Sequence, residues 1–262
     1  MPHSPPVDAC VWLVLPTYNE AENIGPIVVA ATQRLSEVAR DHVVLIVDDN
    51  SPDGTGEAAD HLAKNYESVR VLHRAGKEGL GRAYLAGFDV ALAEGADMIV
   101  EMDADFSHDP RDLGRLIRAA ATDCDLAIGS RYVPGGGVRD WSLGRRILSR
   151  AGGQYARRIL GIDVQDLTGG FKCFRREALE AIELDKVISN GYGFQIELTY
   201  RAIRAGMRVR EVPIWFTERR AGESKMSPRI AVEAALRVPG LKRRIDAETG
   251  AVTPAASREP VS

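Results

Sequence analysis

Short apolar runs alternate with longer amphipathic ones along the first half of the chain. Residues 10–15 (CVWLVL), 43–47 (VVLIV), 69–73, 98–102 (MIVEM) and 124–129 (CDLAIG) have the length and content of buried strands. Between them, residues 21–40 place Ile24, Ile27, Val28, Ala31, Leu35 and Val38 at helical spacing, and 56–66, 79–94 and 110–121 read as further helices. The resulting βαβα order predicts an α/β fold with a mostly parallel sheet and helices on both faces. The second half is less regular. Residues 141–160 form a basic amphipathic stretch, strands are expected at 171–174 and 209–216, and helices near 175–182 and 193–206. A last helix at 228–245 is expected to break at Pro239–Gly240. The stretch 134–137 (PGGG) reads as a flexible segment able to fold over a substrate, and 218–225 as a mobile loop. These elements make one domain over 1–245, with halves at about 10–130 and 131–245, and a disordered tail over 246–262.

The residues at the strand ends change the picture from fold to chemistry. The run 98–102 stops at Asp103-Ala104-Asp105, the run 43–47 runs into Asp48-Asp49, and the run 10–15 leads into Pro16-Thr17-Tyr18-Asn19-Glu20. Parallel strands put their carboxyl ends on one edge of the sheet, where open α/β folds bind ligands, so the three clusters converge on one cleft. Alternation points Asp103 and Asp105 to the same side of an extended backbone. Two carboxylates that close repel unless a cation or proton sits with them, and a hard divalent ion such as Mg²⁺ or Mn²⁺ commonly bridges carboxylates to substrate phosphates. A lone Asp-X-Asp is more often a solvated turn or a helix cap; the strand before it and the clusters upstream reverse that preference. Neither GxGxxG nor a Walker A sequence occurs, so phosphates must meet a metal and side-chain cations instead of a glycine loop. Arg131, directly after a strand end, could hold a phosphate through its planar guanidinium, but from position alone it reads as a surface arginine. His108 reads as helix-start packing before it reads as a ligand.

Composition excludes several classes. An apolar fraction of 45% and a charged fraction of 27% are ordinary for a globular domain, and no run approaches the ~18 apolar residues of a spanning helix. The N-terminal residues lack the charged-then-apolar pattern of a signal peptide. Cys10, Cys124 and Cys173 are scattered within apolar runs, as reduced core thiols of a cytoplasmic protein would be. The net charge of −3 hides an asymmetry: residues 1–130 hold 10 Lys and Arg against 22 Asp and Glu, whereas residues 131–245 hold 23 against 12. An acidic, metal-binding half thus precedes a basic half suited to anions or an anionic membrane surface. The 141–160 stretch carries Arg145, Arg146, Arg150, Arg157 and Arg158 beside Trp141, Leu143, Ile147, Leu148 and Tyr155. It suits a membrane interface or packing on the sheet equally well, and it holds no nucleic-acid recognition motif.

LPTYNEAENI, IVDDNSPDGT, EMDADFSHDP, GSRY, DLTGGFKCF and FTERRAGESK together resemble the family 2 glycosyltransferases with the A-type (Rossmann-like) fold. Within these, the DLTGGF and GESK stretches resemble the polyprenol (dolichyl) phosphate mannose synthase branch in its short form, over about residues 10–240. The resemblance implies that Pro16, Tyr18, Glu20, Val47 and Asp49 line a nucleotide pocket and that Asp103, Ala104 and Asp105 sit at the diphosphate and metal. Some relatives carry a third metal ligand, Gln, two residues past the second Asp; Ser107 stands there in this chain. Arg131 is implied to bridge donor and acceptor phosphates, Arg219 and Lys225 to close over the donor, and Arg145 and Ser149 to meet the acceptor phosphate.

The implied reaction is inverting, metal-dependent transfer of mannose from GDP-mannose to a polyprenyl phosphate. It would take place at the cytoplasmic face of a membrane, beside a separate integral membrane protein in some members. A glucosyl or aminosugar donor fits the same residues, as does a nucleotide-sugar-binding subunit that has lost catalysis. Retention of the clustered acids together with Arg131 speaks against the last reading. A nucleotidyltransferase would carry a glycine-rich basic loop after the first strand, which LPTYNE is not.

Overall fold

The computed structural model describes residues 6–218 and 228–250. Its centre is a seven-stranded sheet. The strands are β1 (Val7–Thr17), β2 (Ala39–Asp48), β3 (Val69–His73), β4 (Met98–Glu101), β5 (Leu126–Ser130), β7 (Lys172–Arg175) and β8 (Val209–Pro213). They lie in the order β3-β2-β1-β4-β7-β5-β8. All neighbours run parallel except β7, which lies antiparallel between β4 and β5. A separate two-stranded ladder joins β6 (Gly137–Val138) to β9 (Trp215–Phe216).

Alternation along β1 builds the two core layers. Val11, Leu13 and Leu15 face α1 (Ala21–Val38), α2 (Thr55–Asn65) and α4 (Leu113–Thr122), while Trp12 and Val14 face the opposite layer. That second layer contains α3 (Leu80–Ala93), α5 (Leu143–Leu160), α6 (Arg176–Ile182), α7 (Tyr192–Arg204) and α8 (Pro228–Thr249). All three cysteines are free, and burial pushes the Cys124 thiol up to about 11, which keeps it protonated.

Four expectations are corrected. Strand β1 does not stop before Pro16: Pro16 pairs with Val47 and Thr17 with Asp48, beyond the β4 register that ends at Val14, so the missing proline N–H removes no bond to β4. Helix α8 is continuous through Pro239 and reaches Thr249, so residues 246–249 are helix rather than tail. Buried Val238, Leu241 and Ile245, with the Asp246–Lys242 and Glu248–Arg201 ion pairs, offset a proline cost of about 3 kcal/mol. Residues 251–262 lie outside the described residues. The 209–216 segment divides at Ile214 into β8 and β9. The PGGG stretch is pinned rather than flexible, with Gly136 N and Gly137 N bonded to Val133 O and Ile214 O at 3.0 Å each. A Cβ on Gly136 would lie 2.4 Å from Ser130 O, so only glycine fits this approach of chain to chain.

Candidate active site

The carboxyl ends of β1, β2 and β4 open into a cavity of about 330 Å³. Pro16, Tyr18, Glu20, Asp49, Asp103, Ala104 and Asp105, from three separate strand ends, all line it. The acids of the second cluster divide their labour. Asp48 is buried in its own turn, accepting from Ser51 Oγ at 2.6 Å and Thr17 Oγ1 at 3.2 Å. Asp53 accepts from Thr55 Oγ1 at 2.6 Å and from Ala21 N at 3.1 Å, tying the turn to the start of α1; these bonds outweigh burial and lower its pKa. Only Asp49 reaches the cavity, where burial raises its pKa even though Arg74 is its ion-pair partner.

At the β4 end, Asp105 is buried and its Oδ1 accepts from Ser107 N at 2.9 Å, while Asp103 Oδ1 accepts from Tyr84 O–H at 3.2 Å. Burial and the nearby Asp103 push the Tyr84 phenol well above its ordinary pKa, so it remains a donor. Tyr84 is held by a stack on Phe88 and Phe194, with centroids 5.8 and 5.9 Å away. Among the described residues, no three His, Cys, Asp or Glu side chains group as a metal site. Two carboxylates with open cavity in front of them still suit Mg²⁺ or Mn²⁺, which typically takes one or two protein carboxylates and draws its other oxygens from substrate phosphate and water. Ser107 is buried, its Oγ has no hydrogen-bond partner, and it does not line the cavity.

Other expected residues are placed differently. Val47 is fully buried in the apolar layer beside Val14 and does not line the cavity. His108 packs between Phe171 and Phe216, at 5.1 and 5.3 Å, as the packing reading expects. Arg131 is the main correction. It is 5% exposed, and its Nε and Nη2 hold the two oxygens of Asp166 at 2.7 and 2.6 Å in a bidentate pair. Asp166 keeps Arg131 charged against the cost of burial, and Arg131 likewise lowers the Asp166 pKa. The fork that was expected to grip phosphate therefore grips the DLTGGF segment. Its Nη2 also donates to Thr168 Oγ1 at 2.9 Å, and Thr168 lines the main cavity.

A second cavity, of about 220 Å³, is lined by Arg131, Tyr132, Arg146, Arg150, Leu143 and Ile147 among others. The two cavities thus abut through the Arg131–Thr168 hydrogen bond. Arg145 and Ser149 do not line either one. Arg145 pairs with Glu218 and lies 4.1 Å over the Trp141 ring, and Ser149 Oγ is 2.6 Å from Tyr132 Oη. Arg219, Lys225 and most of the expected 218–225 loop fall outside the described residues.

Sequence reasoning missed Lys77, Thr168, Tyr192 and Gln195, which complete the main cavity. Lys77 Nζ sits 3.7 Å over the Tyr18 ring, and a lone lysine beside the Gly76 and Gly79 turns was the available signal. Gln195 gave none, because its helical spacing marks it only as a core position. It also belongs to a fully buried pair that patterning does not reveal: Lys172 Nζ is 3.0 Å from Glu101 Oε1 and also donates to Gln195 Oε1. Burial raises the Glu101 pKa and lowers that of Lys172, each charge holding the other against desolvation.

Residues 12–183 match the family described as Glycosyl transferase family 2. The polyprenol monophosphomannose synthase of Mycolicibacterium smegmatis is 50% identical over 243 residues, covering 92% of this chain and 90% of that one. The chain belongs to glycosyl transferase family 2. The undecaprenyl-phosphate mannosyltransferase of Micrococcus luteus is 49% identical over 228 residues, covering 87% of this chain and 92% of its own. Among solved structures, glucosyl-3-phosphoglycerate synthase from Mycobacterium tuberculosis, in complex with Mn²⁺, UDP and glucosyl-3-phosphoglycerate, matches with a TM-score of 0.65. It is 20% identical and covers 90% of this chain and 80% of its own. At that identity the likeness concerns fold: this glycosyltransferase has the A-type fold, with its cavity at the carboxyl edge of the parallel strands.

Proposed function

We propose that this glycosyltransferase moves a mannosyl group from GDP-mannose to a polyprenyl phosphate, giving polyprenyl monophosphomannose and GDP. The observation that carries the reading is the pair of cavities meeting at Arg131 and Thr168: one faced by carboxylates at three strand ends, the other by arginines and exposed aliphatic side chains. A nucleotide sugar fits the first and the phosphate of a lipid the second. The two relatives at about half identity carry names of the same acceptor chemistry.

Asp103 and Asp105 would hold Mg²⁺ or Mn²⁺, which when bound neutralises charge on the donor diphosphate. Pro16, Tyr18, Glu20 and Asp49 would enclose the nucleotide. Lys77 sits at the mouth as a further cation for phosphate, with Arg219 and Lys225 assigned to the same diphosphate. The acceptor phosphate is already ionised near pH 7, since its second pKa is ~6, so it needs positioning more than a base. Arg146, Arg150 and the second-cavity face of Arg131 do that positioning; Arg145 and Ser149 join only by leaving Glu218 and Tyr132. An acceptor oxygen attacks the anomeric carbon as its bond to the diphosphate breaks, which inverts the centre and releases GDP.

The acceptor also places the enzyme at a membrane. No helix among the described residues is long and apolar enough to span one. Helix α5 instead exposes Leu143 (72%) and Ile147 (60%) beside Arg146 and Arg150, which suits peripheral docking on an anionic, cytoplasmic leaflet. The test is purified protein with Mg²⁺ or Mn²⁺, a short polyprenyl phosphate and a panel of radiolabelled nucleotide sugars. GDP-mannose should label the lipid phase. Labelling from UDP-glucose or a UDP-aminosugar alone would replace the sugar, and none from any donor would leave a binding subunit.

A further inference from the structure

Gln195 lies in the first turn of α7, 4% exposed, and its side chain lines the main cavity. Its carbonyl oxygen accepts from Lys172 Nζ, and Lys172 is in turn held by Glu101. A lysine ammonium has only donors to offer, so this contact fixes which way the amide faces: oxygen toward Lys172, NH₂ away from it. The Nε2 atom is buried and, among the described residues, meets no acceptor in full hydrogen-bond geometry, although it lies close enough to Glu101 to help keep that carboxyl charged. An amide nitrogen carries two hydrogens, so even with one turned toward the neighbouring Glu101 carboxyl, a second remains for the cavity.

Gly170 locates what Nε2 faces. The point where a Cβ on Gly170 would sit is 3.3 Å from Gln195 Nε2 and 3.8 and 3.9 Å from the two Asp103 oxygens. Nε2 and the Asp103 carboxylate therefore flank Gly170 on one wall of the cavity, and a small group resting against that wall meets a neutral donor and a carboxylate acceptor. A phosphate oxygen satisfies the amide but approaches Asp103 only with a cation between them, whereas a hydroxyl accepts from the first and donates to the second directly.

We infer that Gln195 and Asp103 together bind one hydroxyl of the donor's sugar, and that Gln195 is a specificity-determining residue for the transferred group. Glu101 and Lys172 position it by holding the amide oxygen. The inference rests on the nucleotide-sugar reading of the cavity and deepens it. A buried donor that loses its hydroxyl partner is left unsatisfied, which is why such contacts discriminate between sugars more strongly than apolar ones do.

The variant that isolates the donor is Gln195→Glu. It is nearly isosteric and still offers Lys172 an oxygen, but it replaces the NH₂ by an acceptor. Calorimetric titration of wild type and variant with GDP and with GDP-mannose reads the two parts of the ligand separately, with thermal melting as a check on the fold. GDP-mannose affinity should fall by about 10-fold or more while GDP affinity changes by less than about 3-fold. A series of monodeoxy GDP-mannose analogues then names the hydroxyl. One analogue should bind wild type about 10-fold more weakly than GDP-mannose does, yet be no further weakened by Gln195→Glu. Equal losses for GDP and GDP-mannose overturn the inference in favour of a phosphate contact. Unchanged affinities, or additive losses for every analogue, overturn it in favour of a purely structural glutamine. Wild type binding a different nucleotide sugar refutes the donor identity alone, and the same comparison is then made on that sugar and its nucleotide. Wild type that binds no nucleotide sugar refutes both readings.

Discussion

The two sides of the sheet handle charge in opposite ways. On the β3-β2-β1-β4 side the strand interiors are apolar apart from Glu101, and the acids gather at the carboxyl edge, where Asp49, Asp103 and Asp105 meet the cavity. On the β7-β5-β8 side ionic groups run through the interior itself: Arg131 with Asp166, Lys172 with Glu101, and Arg201 with Glu197 beneath α8. Motif residues on the first side face ligand space. On the second, Arg131 of GSRY and Asp166 of DLTGGF face one another, while Thr168 and Gly170 of the same stretch still reach the main cavity.

The sharpest way to break this contrast is to remove Asp166. Asp166→Ala leaves the Arg131 guanidinium buried without its partner, and about 3–5 kcal/mol of stability should be lost in denaturant unfolding. The double variant Arg131→Met with Asp166→Ala should recover much of that loss, because the uncompensated charge is gone. The pH dependence has a defined sign. The folded pKa of Asp166 lies below its unfolded value of about 3.9, so its contribution is complete above that pH and is lost as pH falls through the folded value. The stability gap between wild type and Asp166→Ala should thus be widest near neutrality and close in acid. A gap that stays constant down to pH 2 would mean that the pair is not what Asp166 contributes.

Next in size is the edge itself. Asp105→Ala should unfold like wild type within about 1 kcal/mol, yet lose at least ~100-fold in mannosyl transfer, equivalent to about 2.7 kcal/mol of transition-state stabilisation. Chelation by EDTA should abolish the wild-type rate as well. Full activity of the variant under saturating EDTA would end the metal assignment and make the acids structural on both sides of the sheet.

The smallest effect concerns the outer surface of α5. Leu143→Asp with Ile147→Asp should weaken sedimentation with anionic vesicles by about 10-fold, and raising salt should weaken that of wild type. Equal binding of wild type to neutral and anionic vesicles would show that the arginines do not steer it.

The same contrast explains what could be read from sequence. Apolar strands with acids at their ends announce themselves, and the elements and acidic cavity residues of the first half come out of periodicity and strand-end reasoning, whereas Lys77 does not. The Arg131–Asp166 pair was not legible, because a guanidinium after a strand looks alike whether or not a carboxylate already holds its fork, and the separation of 35 positions gives no hint of the pairing. Lys172, Glu101 and Gln195 were silent because a charged residue inside an apolar run declares neither its burial nor its partner. Pro239 misled in the other direction: local propensity said break, while the contacts of Val238, Leu241 and Ile245 outweighed it.

The antiparallel strand β7 has a consequence for how the chain is made. Strand β4 is translated by residue 101 and β5 by residue 130, but the strand that belongs between them arrives only at residues 172–175. A nascent chain on the ribosome can assemble β1 to β4 from neighbours in sequence, while the outer edge of β4 stays open until about seventy further residues have emerged. That edge is short and bears Glu101, a charge facing the wrong environment for any strand other than the one carrying Lys172. Until Lys172 arrives Glu101 stands on that edge without its partner, and a charge there disfavours pairing with an apolar strand.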